Sequence, residues 1–218
     1  MSDWLAWQVV DSAFPVGVFA HSWGLEAAWQ AGHVREAEGL GRFVSASVQQ
    51  TAYGAVPLLA AAYRDPSRWP ELDELAEAFL LNRVTNRASR VQGRTLVSTA
   101  ARIWPSQELA QLAARANTCL AHVAPLSGVV FRTIGLSFET ARMVMLYGVS
   151  RGVLAAAVRL GIAGSYEAQR LQYEVGPWLD QMLEECRDLG PEDVCQTAPV
   201  IDLLQAGHDR LYSRLFQS

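Results

Sequence analysis

Apolar side chains recur at steps of three and four along nearly the whole chain, the spacing that lines one face of a helix, while β-branched residues are scattered rather than alternating. The pattern predicts an all-α protein: a single compact bundle of about 9–11 helices over residues 1–218, with no internal repeat or linker to divide it. A short first helix covers Trp4 to Val10, and Pro15 with Gly17 then force an irregular segment. Ser22 is expected to cap a second helix that turns Leu25, Ala28 and Trp29 inward and ends at Gly32. The third, from Ala37 to Ala52, carries the stripe Leu40, Phe43, Val44, Val48 and Ala52, and Pro57 separates it from an apolar stretch ending at Tyr63.

After a turn at Asp65-Pro66-Ser67, Pro70 is expected to open one long helix in which Leu72, Leu75 and Phe79 give way to Arg83, Arg87, Arg90 and Arg94. A helix follows from Gln107 to Asn117, Ser137 and Ser165 are expected to cap two more, and Pro177 to kink the one running from Tyr166 to Asp188. Gly135, Gly148, Gly152, Gly161 and Gly164 are read as small residues that let helices approach closely. The last amphipathic run, Pro199 to Tyr212, leads into Ser213-Arg214-Leu215-Phe216-Gln217-Ser218. Leaving Leu215 and Phe216 in water would forfeit roughly 1.5–3 kcal/mol each, so they call for a cover, and a partner molecule is the expected one.

Composition narrows the classes. Half the residues are hydrophobic and only 18% are charged, which points to apolar surface reserved for association. The net charge is −4 and all 18 basic residues are Arg, without a basic tail, which argues against nucleic acid as a partner. A chain without lysine has no Walker-type phosphate loop. Cys119, Cys186 and Cys195 fit no zinc-ligand spacing and read as reduced thiols; with no apolar run near the ~20 residues of a membrane span, the expected location is cytoplasmic.

Three groupings invite a chemical reading. Phe14 to Glu26 concentrates aromatics, a Pro-Gly loop, His21 and Glu26 at a helix entry. An acid/base site at His21 and Glu26 would make this a helical enzyme; against it stands a structural reading, in which Pro15, Phe19 and Trp23 staple the loop and Glu26 pairs with an arginine, and a docking reading. Arg83, Arg87, Arg90 and Arg94 share a helix face and require carboxylates or an anionic partner. His33, His122 and His208 have no ligand-spaced neighbours, so no metal or cofactor is called for.

Near-full-length similarity then enters through particular residues: Phe14-Pro15-Val16-Gly17, Phe19-Ala20-His21-Ser22, Gly24-Leu25-Glu26-Ala27, and His208-Asp209 to Tyr212-Ser213-Arg214-Leu215-Phe216. Ala88-Ser89, Gln92-Gly93-Arg94, Ala156 to Leu160, Gly164 and Gln169-Arg170 add support. On these the chain resembles the UreF family of urease accessory proteins. The resemblance implies an all-helical two-fold dimer without catalysis of its own. It would join the GTPase UreG to UreD (UreH in some species) and meet apo-urease during GTP-dependent nickel insertion. It also implies that Glu26 and Arg159 belong to the UreG-facing or coupling surface, and that His208, Tyr212, Arg214, Leu215 and Phe216 belong to the tail that orders against UreD. The chain departs from the family pattern at Val18, at Arg87 where a carboxylate is expected, and across Ile162-Ala163-Gly164-Ser165. An unrelated helical interaction scaffold is the remaining alternative.

Overall fold

Local chemistry sets most helix boundaries in the computed structural model, which describes residues 4–16 and 20–218. Gly17, Val18 and Phe19, and with them the departure at Val18 and the stapling role of Phe19, lie outside the described residues. The chain forms α1 (Trp4–Val10), α2 (Leu25–Gln30), α3 (Ala37–Gly54), α4 (Val56–Arg64), α5 (Trp69–Phe79) and α6 (Arg83–Ile103). It continues as α7 (Gln107–Ala116), α8 (Val123–Thr133), α9 (Phe138–Arg159), α10 (Ser165–Glu174), α11 (Gly176–Glu185) and α12 (Pro199–Ala206). No strand occurs among the described residues, in keeping with the three-to-four-residue apolar spacing.

Proline separates α3 from α4 and α10 from α11 as its missing N–H demands, with Pro57 and Pro177 each in the first turn of the later helix. Ser137 caps α9 through the Thr140 N–H at 3.1 Å. Three expectations fail, one of them Trp29 of α2, expected to face inward and in fact exposed. The helix expected to continue from Pro70 through the arginines is broken at Leu80–Asn82. The Asn82 side chain accepts the Val84 N–H at 2.9 Å to start α6, and its amide donates to the carbonyl and the carboxylate of Asp202 on α12. A tertiary contact has overridden a continuous apolar pattern. Ser22 and Ser165 are not the caps expected either; glycines occupy those positions, with Gly24 in the left-handed region (φ 83°) after Trp23 (φ 53°).

Two buried clusters make the interior. One gathers α4 to α8 around Leu59, Trp69, Leu72, Val97, Leu126 and Val130; the other gathers α2, α3, α9, α10 and α11 around Leu25, Leu40, Val48, Val153, Ala157 and Met182. Met145 on α9 packs against both. Helix α9 is long and apolar enough to cross a membrane by composition, but 61% of its apolar window is buried inside the protein, as befits a helix that serves two cores.

The arginine row of α6 is used mainly to hold chain segments. Arg90 and Arg94 donate to the carbonyls of Leu120 and Cys119 at 3.1 and 2.9 Å, and Arg87 pairs with Asp209. Beside them the buried Asp73 carboxylate accepts the N–H groups of Ala121 and His122 at 2.8 and 2.7 Å. The His122 ring bridges Ser89 and Glu77; burial lowers its pKa against the pull of Glu77, which favours a neutral ring that donates from Nε2 to Glu77 and accepts at Nδ1 from Ser89.

Candidate functional site

Five of the residues singled out in the sequence converge where the end of the chain crosses the loop before α2. Glu26, in the first turn of α2, is 2% exposed. Its carboxylate accepts the backbone N–H of Leu215 at 2.6 Å and that of Phe216 at 3.2 Å. Hydrogen bonds to a charged acceptor contribute about 1.5–3 kcal/mol each, which compensates for burying the carboxylate. The Phe216 carbonyl in turn accepts from His208 Nε2 at 3.1 Å, which leaves that ring nitrogen 4.0 Å from Glu26. The Phe216 ring, 5% exposed, lies under the Arg159 guanidinium at 4.4 Å from the ring centre.

The last residues extend this clasp. The Gln217 N–H donates to the Ala20 carbonyl at 2.7 Å, while the Ser22 N–H and hydroxyl both reach the Ser218 backbone oxygen at 2.6 and 2.9 Å. Ser218 Oγ lies 2.5 Å from His21 Nδ1. Enclosed there, His21 has its pKa lowered to about 4, by burial first and by the neighbouring His208 second. The indole of Trp23 fits against α9 where Gly152 leaves room, since a Cβ at that position would collide with the ring. Gln30 Nε2 donates to the Ser213 carbonyl at 2.9 Å.

The expected cover for Phe216 is therefore corrected: the chain's own Glu26, Arg159 and His208 enclose it, because its main-chain donors find a buried carboxylate close by. Leu215 remains half exposed, and Tyr212 and Arg214 face outward. The arginine expected to pair with Glu26 is absent from its hydrogen bonds; backbone N–H groups take that place. His21 and Glu26 do not form an acid/base pair either, since each is engaged by a different residue of the tail. Sequence reading missed Asp209, whose carboxylate takes both forks of Arg87 at 2.9 and 3.1 Å and reaches Arg214 at 3.4 Å. No local pattern announces a bridge spanning 122 residues. The departure at Arg87 thus has a counter-charge within the chain. Arg142, buried beside Glu139 and the Leu183 carbonyl, was missed likewise.

The outer side of this region is apolar and basic. On α12, Val200 and Leu203 are exposed, and Leu81 stands next to Asn82 in its contact with Asp202; Arg83, Arg210 and Arg214 are exposed around them. A second apolar face occurs at α1, where Trp4 and Trp7 are exposed and the helix packs on α9, whose Met143 is also exposed. No three His, Cys, Asp or Glu side chains converge at metal-binding distance among the described residues.

Comparison with known proteins bears on this geometry. Residues 34–176 match the UreF family profile. A urease accessory protein F of Oryza sativa subsp. indica is 36% identical over 221 residues, covering 99% of this chain and 85% of the relative. That of Arabidopsis thaliana is 35% identical over 224 residues, covering 99% and 92%. A urease accessory protein UreF of Arthrobacter sp. (strain FB24) is 31% identical over 214 residues, covering 97% and 95%.

Proposed function

Since this chain belongs to the UreF family and so serves urease maturation, we propose that it works there as a non-catalytic adaptor, one helical domain whose surfaces bridge UreG and UreD/UreH and assist GTP-dependent nickel insertion into apo-urease. The observation that carries the reading is the division of labour in the tail. Glu26, His208 and Phe216 fix its course from inside, with Arg159 over the Phe216 ring, and this fixed course leaves Tyr212, Arg214 and Leu215 exposed, as Val200 and Leu203 of α12 also are. An ordered apolar and basic surface spends little entropy on docking. In this reading the outward set meets UreD/UreH, and Glu26 and Arg159 couple its order to the UreG-facing side.

Two further features support the adaptor over an enzyme with an acid/base site at His21 and Glu26. Glu26 is buried with two N–H groups on its carboxylate, and His21, with a pKa near 4, is not an imidazolium acid at neutral pH and has its Nδ1 engaged by Ser218. Trp4, Trp7 and Met143 offer an apolar face suited to a second copy of the chain, in line with a homodimer. Cytoplasmic residence accompanies these partners.

The test mixes the purified protein with UreD and UreG and measures the mass of the products by size-exclusion chromatography with light scattering. A Tyr212→Ala, Leu215→Ser double variant should keep the wild-type melting temperature and fail to co-elute with UreD. Co-elution equal to wild type would remove the tail from the interface.

A further inference from the structure

Between the two cores the packing leaves a cavity of about 300 Å³. That is roughly twice the volume of an engineered apolar cavity of about 150 Å³ that takes up benzene. Its wall is mainly hydrophobic, with Val9 from α1, Leu58 from α4, Leu96 from α6, Val149 from α9 and Ile201 from α12. Ligand sites of this size characteristically combine such walls with a few placed polar groups.

Three observations single this space out. Gly148 lies inside α9 and lines the cavity, and a Cβ built there meets no atom within 4 Å. A glycine in a helix interior costs about 1 kcal/mol relative to alanine, and here no neighbour among the described residues requires it. The second is Thr85, whose buried Oγ1 has no hydrogen-bond partner among the described residues and lies on the cavity wall. Third, the contacts Asn82 to Asp202 and Arg87 to Asp209 set α6 and the α12 segment side by side in the same direction. Gln205 of α12, a buried amide, lines the same cavity as Thr85 of α6. One hydroxyl and one amide, each able to donate and accept, thus stand on the wall of a mainly apolar chamber that also carries Gln50, Gln92 and Gln196.

Ionic groups on the lining are already occupied. Asp202 accepts from Asn82, Asp11 accepts the Ala13 N–H, and Arg151 has an interaction of its own. His21, also on the wall, is held neutral by its surroundings. We infer that this cavity binds a small neutral amphipathic molecule, with an apolar body about the size of an aromatic ring and a single hydroxyl or amide head that pairs with Thr85 and Gln205. Because His21 and Ser218 line the same space, an occupant would also tighten the clasp at the end of the chain. The inference stands independently of the adaptor reading.

The experiment uses the full-length protein with ¹³C-labelled Ile, Leu and Val methyl groups, and benzyl alcohol, toluene and sodium benzoate as probes. Benzyl alcohol should shift the methyl signals of Leu58, Leu96 and Val149 saturably, toluene more weakly, and benzoate not at all. Gly148→Leu should fill the chamber and weaken benzyl alcohol binding at least ten-fold while the circular dichroism stays unchanged. Thr85→Val, close to the same shape without the hydroxyl, should weaken benzyl alcohol toward the affinity of toluene, with Gln205 left as its one partner, and so tests the head group even if the first variant folds poorly. Absence of saturable shifts with either neutral probe, equal titrations in wild type and both variants, or benzoate binding as tightly as benzyl alcohol would overturn the inference.

Discussion

The Glu26 carboxylate and the Phe216 backbone N–H meet at 3.2 Å although 190 residues separate them, and the Leu215 N–H shares the same carboxylate at 2.6 Å. A buried anion whose partners are main-chain donors fixes the course of the tail independently of most tail side chains. Replacing Glu26 by Ala removes the acceptor from both donors, at about 1–3 kcal/mol for each that stays buried and unpaired. Glu26→Gln retains one amide oxygen and should fall between Ala and wild type. Urea unfolding gives the order, and amide hydrogen exchange at Leu215 and Phe216 should quicken in the same sequence. A tail equally protected in all three proteins would show that Glu26 does not hold it.

Arg159 acts on the same residue from the other side, through the face of its ring. Arg159→Ala should cost about 0.5–1 kcal/mol, the range for an exposed cation on an aromatic face, and Arg159→Lys should recover part of it. Phe216→Leu removes the ring while retaining an apolar side chain. The loss from Arg159→Ala should therefore shrink in a Phe216→Leu background, which a double-mutant cycle measures.

Acid should loosen the clasp. The folded protein holds His21 at a pKa of about 4 against the ordinary 6.5, so the unfolded chain takes up the proton first. Stability from this group is complete above pH 6.5 and is lost as the pH falls toward 4, by on the order of 3 kcal/mol at about 1.4 kcal/mol per unit. The lowered pKa of His122 acts in the same direction. Unfolding free energies measured from pH 7.5 to 4.5 should fall steeply in wild type and less steeply in His21→Gln. Parallel slopes would exclude His21 as the source.

Two glycines should respond oppositely to the same substitution. On α6, a methyl group at Gly93 would collide with the Ala121 carbonyl oxygen and press on the His122 backbone, which cannot rotate away. Gly93→Ala should lose at least about 2 kcal/mol despite its better helix propensity. Gly148→Ala meets nothing and should gain up to about 1 kcal/mol. Thermal melts of the two variants decide the matter.

Helical periodicity, proline and the Ser137 cap are short-range matters, and the chain alone determined the all-helical class and most helix ends through them. The stripe Leu40, Phe43, Val44, Val48 and Ala52 identified a buried face because neighbours three and four apart must share a side of the helix. Gly93 and Gly128 look no different in sequence from Gly148, yet backbone oxygens of α4 and the Ala121 loop stand where side chains of the first two would go. Only the packing of α8 against α4 and α6 distinguishes them. The break before α6 likewise depended on Asp202, and the cover for Phe216 on Glu26, His208 and Arg159, all far away along the chain. A terminal apolar side chain declares that it must leave water, since that cost belongs to the residue itself; whether its own protein or another takes it in depends on a buried carboxylate with two free acceptor positions, which exists only once the helices have packed.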